Sequence, residues 1–184
     1  MASSLRSTPS IRTLFGSLLI ATILTFPLAQ VHAQAPFPGV SLEDEVDDLD
    51  GFDEKGSTQT KFKEGLKALK AGDCRTAQTS FSIVLKRAGS DANVQLLQGM
   101  AYRCERSHKQ AMKHFRKAIR ADRSMYLAYK YLGLTHLNLE QPDEAAEMLS
   151  RLERFRERCP KECPADLESA YADLTSAIEY RKAN

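Results

Sequence analysis

An interval of 34 residues constrains this chain more than any other feature. Gly99 is followed by Ala111, Phe115 and Ala118. Thirty-four residues earlier stand Gly65, Ala77, Phe81 and Val84, and thirty-four later Gly133, Ala145, Leu149 and Leu152. Within each column only apolar residues exchange for apolar ones. A period in the thirties marks stacked supersecondary units, each burying its apolar face against the next. Three unrelated amphipathic hairpins would not keep that interval. The expectation is a solenoid whose work is to present a surface to a partner.

Between these columns the chain reads as helices. Phe62, Leu66 and Leu69 form an apolar stripe that ends at Ala71-Gly72-Asp73, and Ala77, Phe81, Val84 and Leu85 form the next, ended by Gly89-Ser90-Asp91. A second pair runs from about Ala92 through Tyr102 and, after Glu105-Arg106-Ser107, from Ala111 to Ile119. A third runs from Tyr126 through Leu139 and restarts at Pro142, where a missing N–H is tolerated. Asp143 and Glu144 then suit the positive start of that helix. After Cys159–Pro164 a last helix carries Leu167, Tyr171, Leu174 and Ile178 on one face. Its Glu168, Asp173, Glu179 and Arg181 are expected to face away, giving the stack a polar end.

These residues resemble the tetratricopeptide repeat, a 34-residue helix–turn–helix with a small residue and then an aromatic in its first helix, and an Ala–aromatic–small series in its second. Gly65, Gly99 and Gly133 match, as do Ala77, Ala111 and Ala145; Phe81 and Phe115 match the second-helix aromatic, with Leu149 in that place in unit three. Tyr102 matches the first-helix aromatic, where Ala68 and His136 stand in the flanking units, and His136 is expected to be a packed core residue. Gly89, Arg123 and Glu157 stand where the family has proline, and Lys61 and Gln95 where it has a bulky apolar residue. The resemblance implies an all-α, right-handed α-solenoid of three units, 58–91, 92–125 and 126–159, with a capping helix in 160–184.

It further implies that the first helices line a concave groove receiving peptide or helical segments. The inward residues are then Phe62, Leu66, Leu69 and Lys70 in unit one, Leu96, Met100 and Arg103 in unit two, and Lys130, Leu134, Leu137 and Asn138 in unit three. An apolar floor with cations at intervals suits an acidic amphipathic segment of a protein partner. The same Leu and Phe would equally serve to pack helix on helix. Members of the family that clamp a C-terminal carboxylate use Asn where this chain has Met100 and Leu134, which disfavours that mode. The stacked arrangement also brings Cys74 beside Cys104 on adjacent units and leaves Cys159 to pair with Cys163. In so small a solenoid each bridge would be worth about 2–4 kcal/mol.

The ends of the chain differ from its middle. Arg6 and Arg12 precede an apolar run from Leu14 to Ala29 that closes on Val31-His32-Ala33. That is the pattern of a secretory signal peptide, 1–33, cut after Ala33. Pro27 interrupts a run shorter than the roughly 20 residues of a spanning helix, so no stable membrane anchor is expected. Export, most simply to a bacterial periplasm, would place all four cysteines in an oxidising compartment, where an even count favours disulfides. Residues 34–57 then form an acidic arm carrying Glu43, Asp44, Glu45, Asp47, Asp48, Asp50, Asp53 and Glu54. Such a block is ordinarily solvated. Leu42, Val46, Leu49 and Phe52 nevertheless recur at helical spacing behind Ser41, so the arm also holds a short amphipathic helix able to dock on a groove. From Gly56 onward the chain carries 23 basic and 16 acidic residues, so arm and body have opposite charge.

Chemistry finds no foothold. The chain has no Gly-rich phosphate loop and no nucleophile elbow, and an enzyme is not expected. Cys159 and Cys163, with His108 and His114 elsewhere, lack zinc-site spacing, so neither metal nor cofactor is expected. Lys109, Lys113, Arg116, Lys117, Arg120 and Arg123 cluster in the second helix of unit two and just after it. They read as a solvated face or as a patch for an anionic envelope polymer; nucleic acid is not expected for an exported chain.

Overall fold

The computed structural model describes residues 57–183. The signal-peptide expectation lies outside these residues, as does the acidic arm apart from Ser57, which already opens the first helix. Seven helices follow among the described residues. They are α1 Ser57–Lys70, α2 Cys74–Ala88, α3 Ala92–Cys104, α4 His108–Ala121, α5 Tyr126–Asn138, α6 Pro142–Arg156 and α7 Ala165–Ala183. Each packs on the one before it, and α7 lies against both α5 and α6. The first six thus form three hairpins, and α7 sits where a fourth unit's first helix would lie.

Local chemistry sets the helix ends. The Asp73 carboxylate accepts from the Thr76 N–H at 3.1 Å and caps α2, and Asp91 accepts from the Val94 N–H at 3.0 Å and caps α3. Pro142 occupies the first turn of α6, followed by Asp143 and Glu144. The turn within each hairpin is the same motif. Gly72, Arg106 and Glu140, again 34 residues apart, take positive φ values of 73°, 58° and 57°. The next residue's N–H then reaches back five residues: Asp73 to the Ala68 carbonyl, Ser107 to Tyr102 and Gln141 to His136, at 2.8, 2.9 and 3.0 Å. This satisfies carbonyls a helix end would otherwise leave open. Glycine takes the left-handed conformation without strain; Arg106 and Glu140 hold it at a cost of about 1 kcal/mol each.

The small-residue column decides how closely the helices approach. A Cβ on Gly65 would lie 2.6 Å from Phe81 Cε1, and one on Gly99 2.5 Å from Phe115 Cε1. In unit three the partner changes. A Cβ on Gly133 would meet Leu174 Cδ2 of α7 at 2.7 Å, whereas Leu149, in the aromatic's sequence position, is half-buried. Leucine is too short to fill the space a phenyl ring fills, and the capping helix supplies the missing volume. Phe81, Phe115, Leu152, Leu167 and Leu174 are wholly buried along the stack. Ring contacts link its layers: Phe62 edge-on to Phe81 at 6.1 Å, Phe115 stacked on Tyr131 at 5.8 Å, and Tyr126 edge-on to Phe155 at 5.2 Å.

The outer face expected for α7 differs from the structure. Asp173 Oδ2 sits 3.2 Å from Lys130 Nζ, Arg181 donates to the Leu137 carbonyl at 3.2 Å, and both Glu168 oxygens accept from Arg156 Nε at 2.9 and 3.0 Å. Of the four polar residues expected to face solvent, three are used as clasps, because α7 runs along α5, meeting Lys130, Gly133 and Leu137 in turn, and reaches Arg156 at the end of α6. Two covalent clasps complete the stack. Cys74 is bonded to Cys104, with Cα atoms 5.7 Å apart, and Cys159 to Cys163, with Cα atoms 5.3 Å apart. The first ties unit one to unit two; the second closes the bend before α7.

Candidate interaction surface

The three first helices, α1, α3 and α5, carry every residue expected to line a groove. The structure draws most of them inward. Phe62, Leu69, Leu96, Met100, Arg103, Lys130, Leu134 and Leu137 are buried, Leu66 and Asn138 are half-buried, and Lys70 is exposed. Phe62 and Leu96, at 1% and 0% exposure, serve the contact between helices. Burial deepens along the stack: in α5 all eleven residues from Leu127 to Leu137 are buried, consistent with a helix that is apolar nearly all round.

Two cations lie in this apolar setting. Arg103 is 7% exposed and Lys130 0%. Both approach the Tyr131 ring, the Arg103 guanidinium carbon at 5.3 Å from its centroid and Lys130 Nζ at 4.8 Å. Loss of hydration dominates both, pushing the Arg103 guanidinium down to about 10 and the Lys130 ammonium below its ordinary range, while Asp173 opposes the fall at Lys130. Burial likewise raises the Tyr131 hydroxyl. A cation taken from water is stabilised by ring faces and by carboxylates, and here Tyr131 and Asp173 supply both kinds of contact.

The opposite side of unit two has another character. Ala111, Met112, Phe115 and Ala118 bury one face of α4, and Lys109, Lys113, Arg116, Lys117 and Arg120 project from the other into solvent. Arg123 just beyond is also exposed, and none of these six forms an ion pair among the described residues. Between α2 and α4 an open cleft of about 750 Å³ is lined by Lys86, Lys117, Arg120, Ser82 and Ser90, with no acidic side chain in its wall. His114 joins the two sides. Its Nδ1 donates to Gln95 Oε1 at 2.8 Å and its ring stacks on Tyr102 at 5.2 Å. Burial, helped by Lys117 and Lys113, pushes its pKa down to about 4. His136 is a buried core residue, its Nδ1 donating to Gln141 Oε1 at 2.8 Å.

A family model described as "Tetratricopeptide repeat" matches residues 62–126 and 106–161, together more than half of the chain. The chain belongs to the tetratricopeptide repeat family. Solved members share the fold. The TPR2B domain of yeast Sti1, determined as a pHsp70 complex, matches with a TM-score of 0.55 and 19% identity over 65% of this chain and 96% of that one. The Sgt2 TPR domain from Aspergillus fumigatus matches at 0.56 and 16% identity, over 71% and 84%. The second TPR domain of human RPAP3, determined with an HSP70 peptide, matches at 0.50 and 19% identity, over 62% and 92%. A search of curated proteins returned no match. At such identities the likeness is one of fold.

Sequence reasoning missed two things at this surface. Tyr131 was not singled out, although it receives both cations; it is one of three tyrosines, with Tyr126 and Tyr129, on the same helix. The Lys130–Asp173 pair was missed because nothing in the spacing of 43 residues reveals it. Only the docking of α7 on α5 brings the two together.

Proposed function

We propose that this chain is a non-enzymatic adaptor that seats a segment of another protein against its first helices, with an acidic, amphipathic segment as the ligand. The observation that carries this reading is the row of first helices α1, α3 and α5, whose half-buried Leu66 and Asn138 and exposed Lys70 remain open to a ligand. Apolar side chains of a partner would bury against Leu66, and its carboxylates would answer Lys70. Two relatives of similar fold were determined with Hsp70-derived ligands, which supports a peptide-binding use of the fold. Met100 and Leu134 argue for recognition along the length of a segment rather than at its terminal carboxylate. The N-terminal pattern and the two disulfides support an exported adaptor that assists assembly in the cell envelope.

The test is site-specific photo-crosslinking in the native envelope. A photoreactive residue at Lys70 or Asn138, on the rim of the surface, is expected to capture a partner polypeptide, and one at Lys113 on the outer side of α4 is not. Capture from Lys113 alone would overturn the assignment.

The cleft between α2 and α4 favours a second reading, in which Lys86, Lys117 and Arg120 hold an anionic envelope polymer. Retention on an immobilised polyanion that disappears in a Lys117→Glu, Arg120→Glu variant would support it. Equal retention of the variant would remove it.

A further inference from the structure

We infer that the open cleft between α2 and α4 is the docking site of the chain's own acidic run, Glu43–Glu54, whose carboxylates pair there with Lys86, Lys117 and Arg120. This goes beyond both readings of function. It names what neutralises this edge of the stack, and an external polyanion reaches the cleft only by displacing it.

The geometry begins with the hairpin. Two antiparallel helices bring the start of the first and the end of the second to one edge. A direct contact marks that edge in unit one, where Arg87 Nη1 donates to Ser57 Oγ at 2.6 Å. Lys86, next to Arg87, stands in the cleft wall with Gly89 and Ser90 of the turn after α2, and Lys117 and Arg120 face it from the end of α4. All three cations are exposed, and none forms an ion pair among the described residues. Lys117 and Arg120, three residues apart on one helix face, repel each other. The wall holds no carboxylate. The two acidic residues nearest in sequence are committed elsewhere: Asp91 and Asp122 accept from the backbone N–H groups of Val94 and Ser124 at 3.0 and 2.8 Å.

The occupant follows from charge and from where the preceding chain joins the stack. Only Lys55 and Gly56 separate Glu54 from Ser57, so the acidic run is tethered at the edge that Arg87 marks. Eight carboxylates lie within Glu43–Glu54 with no basic residue among them. An extended chain covers roughly 3.3–3.6 Å per residue, so Glu54 reaches about 10 Å from Ser57 and Asp47 about 35 Å. Several carboxylates can therefore meet the three cations at once. Exposed ion pairs are individually weak and are screened by salt. So short a tether compensates, giving the run an effective concentration on the order of millimolar beside the cleft. Leu85, half-buried in the wall, adds an apolar contact for a residue such as Leu49 or Phe52. The first helices offer no such match, because Arg103 and Lys130 are buried there and Lys130 already holds Asp173.

The experiment treats the chain from Gln34 onward with a zero-length carbodiimide, which joins carboxylates to lysine amines in contact. The expected result is a cross-link from residues 43–54 to Lys86 and Lys117 within the monomer, at least tenfold above that to Lys109 at the far end of α4, and lost as salt rises. A second measurement follows a fluorescein-labelled peptide of residues 41–54 by anisotropy. It should bind at least tenfold more tightly to a variant with Glu→Gln and Asp→Asn at the eight acidic positions than to the parent chain. That gain should vanish when Lys117→Glu and Arg120→Glu are added; both side chains are exposed, so their reversal leaves the core intact. Cross-links spread evenly over Lys86, Lys109, Lys113 and Lys117 would overturn the inference, because they would report diffuse neutralisation and no site. Equal peptide affinities for the parent and the neutralised chain would overturn it as well. Cross-links confined to a dimer would move the run onto a second copy and overturn the intramolecular form. Failure here is separable from failure of either reading of function, since capture from Lys70 or Asn138 and retention on a polyanion do not require the run to dock.

Discussion

Helices α4 and α5 are neighbours in the stack and carry similar numbers of residues, yet they spend their side chains in opposite ways. α4 is divided: four apolar residues face the core and five cations face water. α5 is undivided, with eleven consecutive buried residues and a lysine among them. A divided helix can be understood by itself, because its pattern says which side is out. An undivided one can be understood only with its neighbours, since α4, α6 and α7 all lean on it. The difference separates a helix that shapes the stack's outer surface from one whose surroundings are supplied by the rest of the chain.

The comparison breaks first in the core the two helices share. Phe115 stacks on Tyr131 and fills the space opposite Gly99, so Phe115→Ala removes a contact of α4 and of α5 at once. The expected loss is about 3–5 kcal/mol, measured by urea denaturation of the oxidised protein. Gly99→Ala attacks the same contact from the other side by adding a methyl 2.5 Å from the ring, and should cost roughly 1–3 kcal/mol. If the alanine were neutral, the small-residue column would be a habit of the repeat rather than a packing requirement.

The buried charge of α5 supplies the next test. Asp173→Asn leaves Lys130 charged without the carboxylate of α7, whereas Lys130→Met leaves a carboxylate that water still reaches, at 29% exposure. The first is expected to cost about 1–3 kcal/mol and the second less than about 1, because a hydrophobe replaces a buried ammonium without a desolvation penalty. Equal losses would mean that the pair acts through its hydrogen bond and not through burial of charge.

These two helices also show how much could be read in advance. The interval linking Gly65, Gly99 and Gly133 reveals the architecture because packing chemistry repeats wherever the same hairpin repeats, and the alternation of faces in α4 is plain from its cations. The packing around α5 is not legible in that way. Lys130 reads as an inward cation, but its partner lies 43 residues on, in a helix whose angle is set by the Cys159–Cys163 bend and by Leu174 filling the space beside Gly133. Leu134 and Leu137 read equally as floor or core, since a stripe of leucines looks the same in both roles. The repeated turn at 72, 106 and 140 was hidden for a different reason. Backbone conformation repeats there while the side chain does not, and only Gly72 announces a left-handed residue.

A smaller effect follows from His114, which belongs to α4 but points at α3. Its folded pKa of about 4 lies below the unfolded value of roughly 6.5, so the unfolded chain binds more protons between those limits. Stability from this group is complete above about pH 6.5 and is lost as pH falls toward 4. The ring is only half-buried, so solvent screening reduces the effect to about 1–2 kcal/mol. Denaturation midpoints for the parent chain and His114→Gln, compared at pH 7 and 4.5, should converge as pH falls. Parallel curves would show that the ring is solvated in the folded protein.

The smallest effect is one in which α4 and α5 should behave alike. Arg106 ends the turn before α4 and Glu140 the turn after α5, and both hold φ near +57° with nearly the same hydrogen bonds as Gly72. Replacing either by glycine relieves left-handed strain but adds freedom to the unfolded chain, terms that oppose each other. Strain of about 1 kcal/mol is the larger at a position so far into the left-handed region. Arg106→Gly and Glu140→Gly are therefore each expected to stabilise the protein by about 0.5 kcal/mol, and their effects should add, because no partner is shared across the two turns. Measured by chemical denaturation, a gain at one site and a loss at the other would show that the side chain, not the backbone, sets the value of that turn. Equal gains would establish the turn as a third element of the repeat, alongside its small residue and its aromatic.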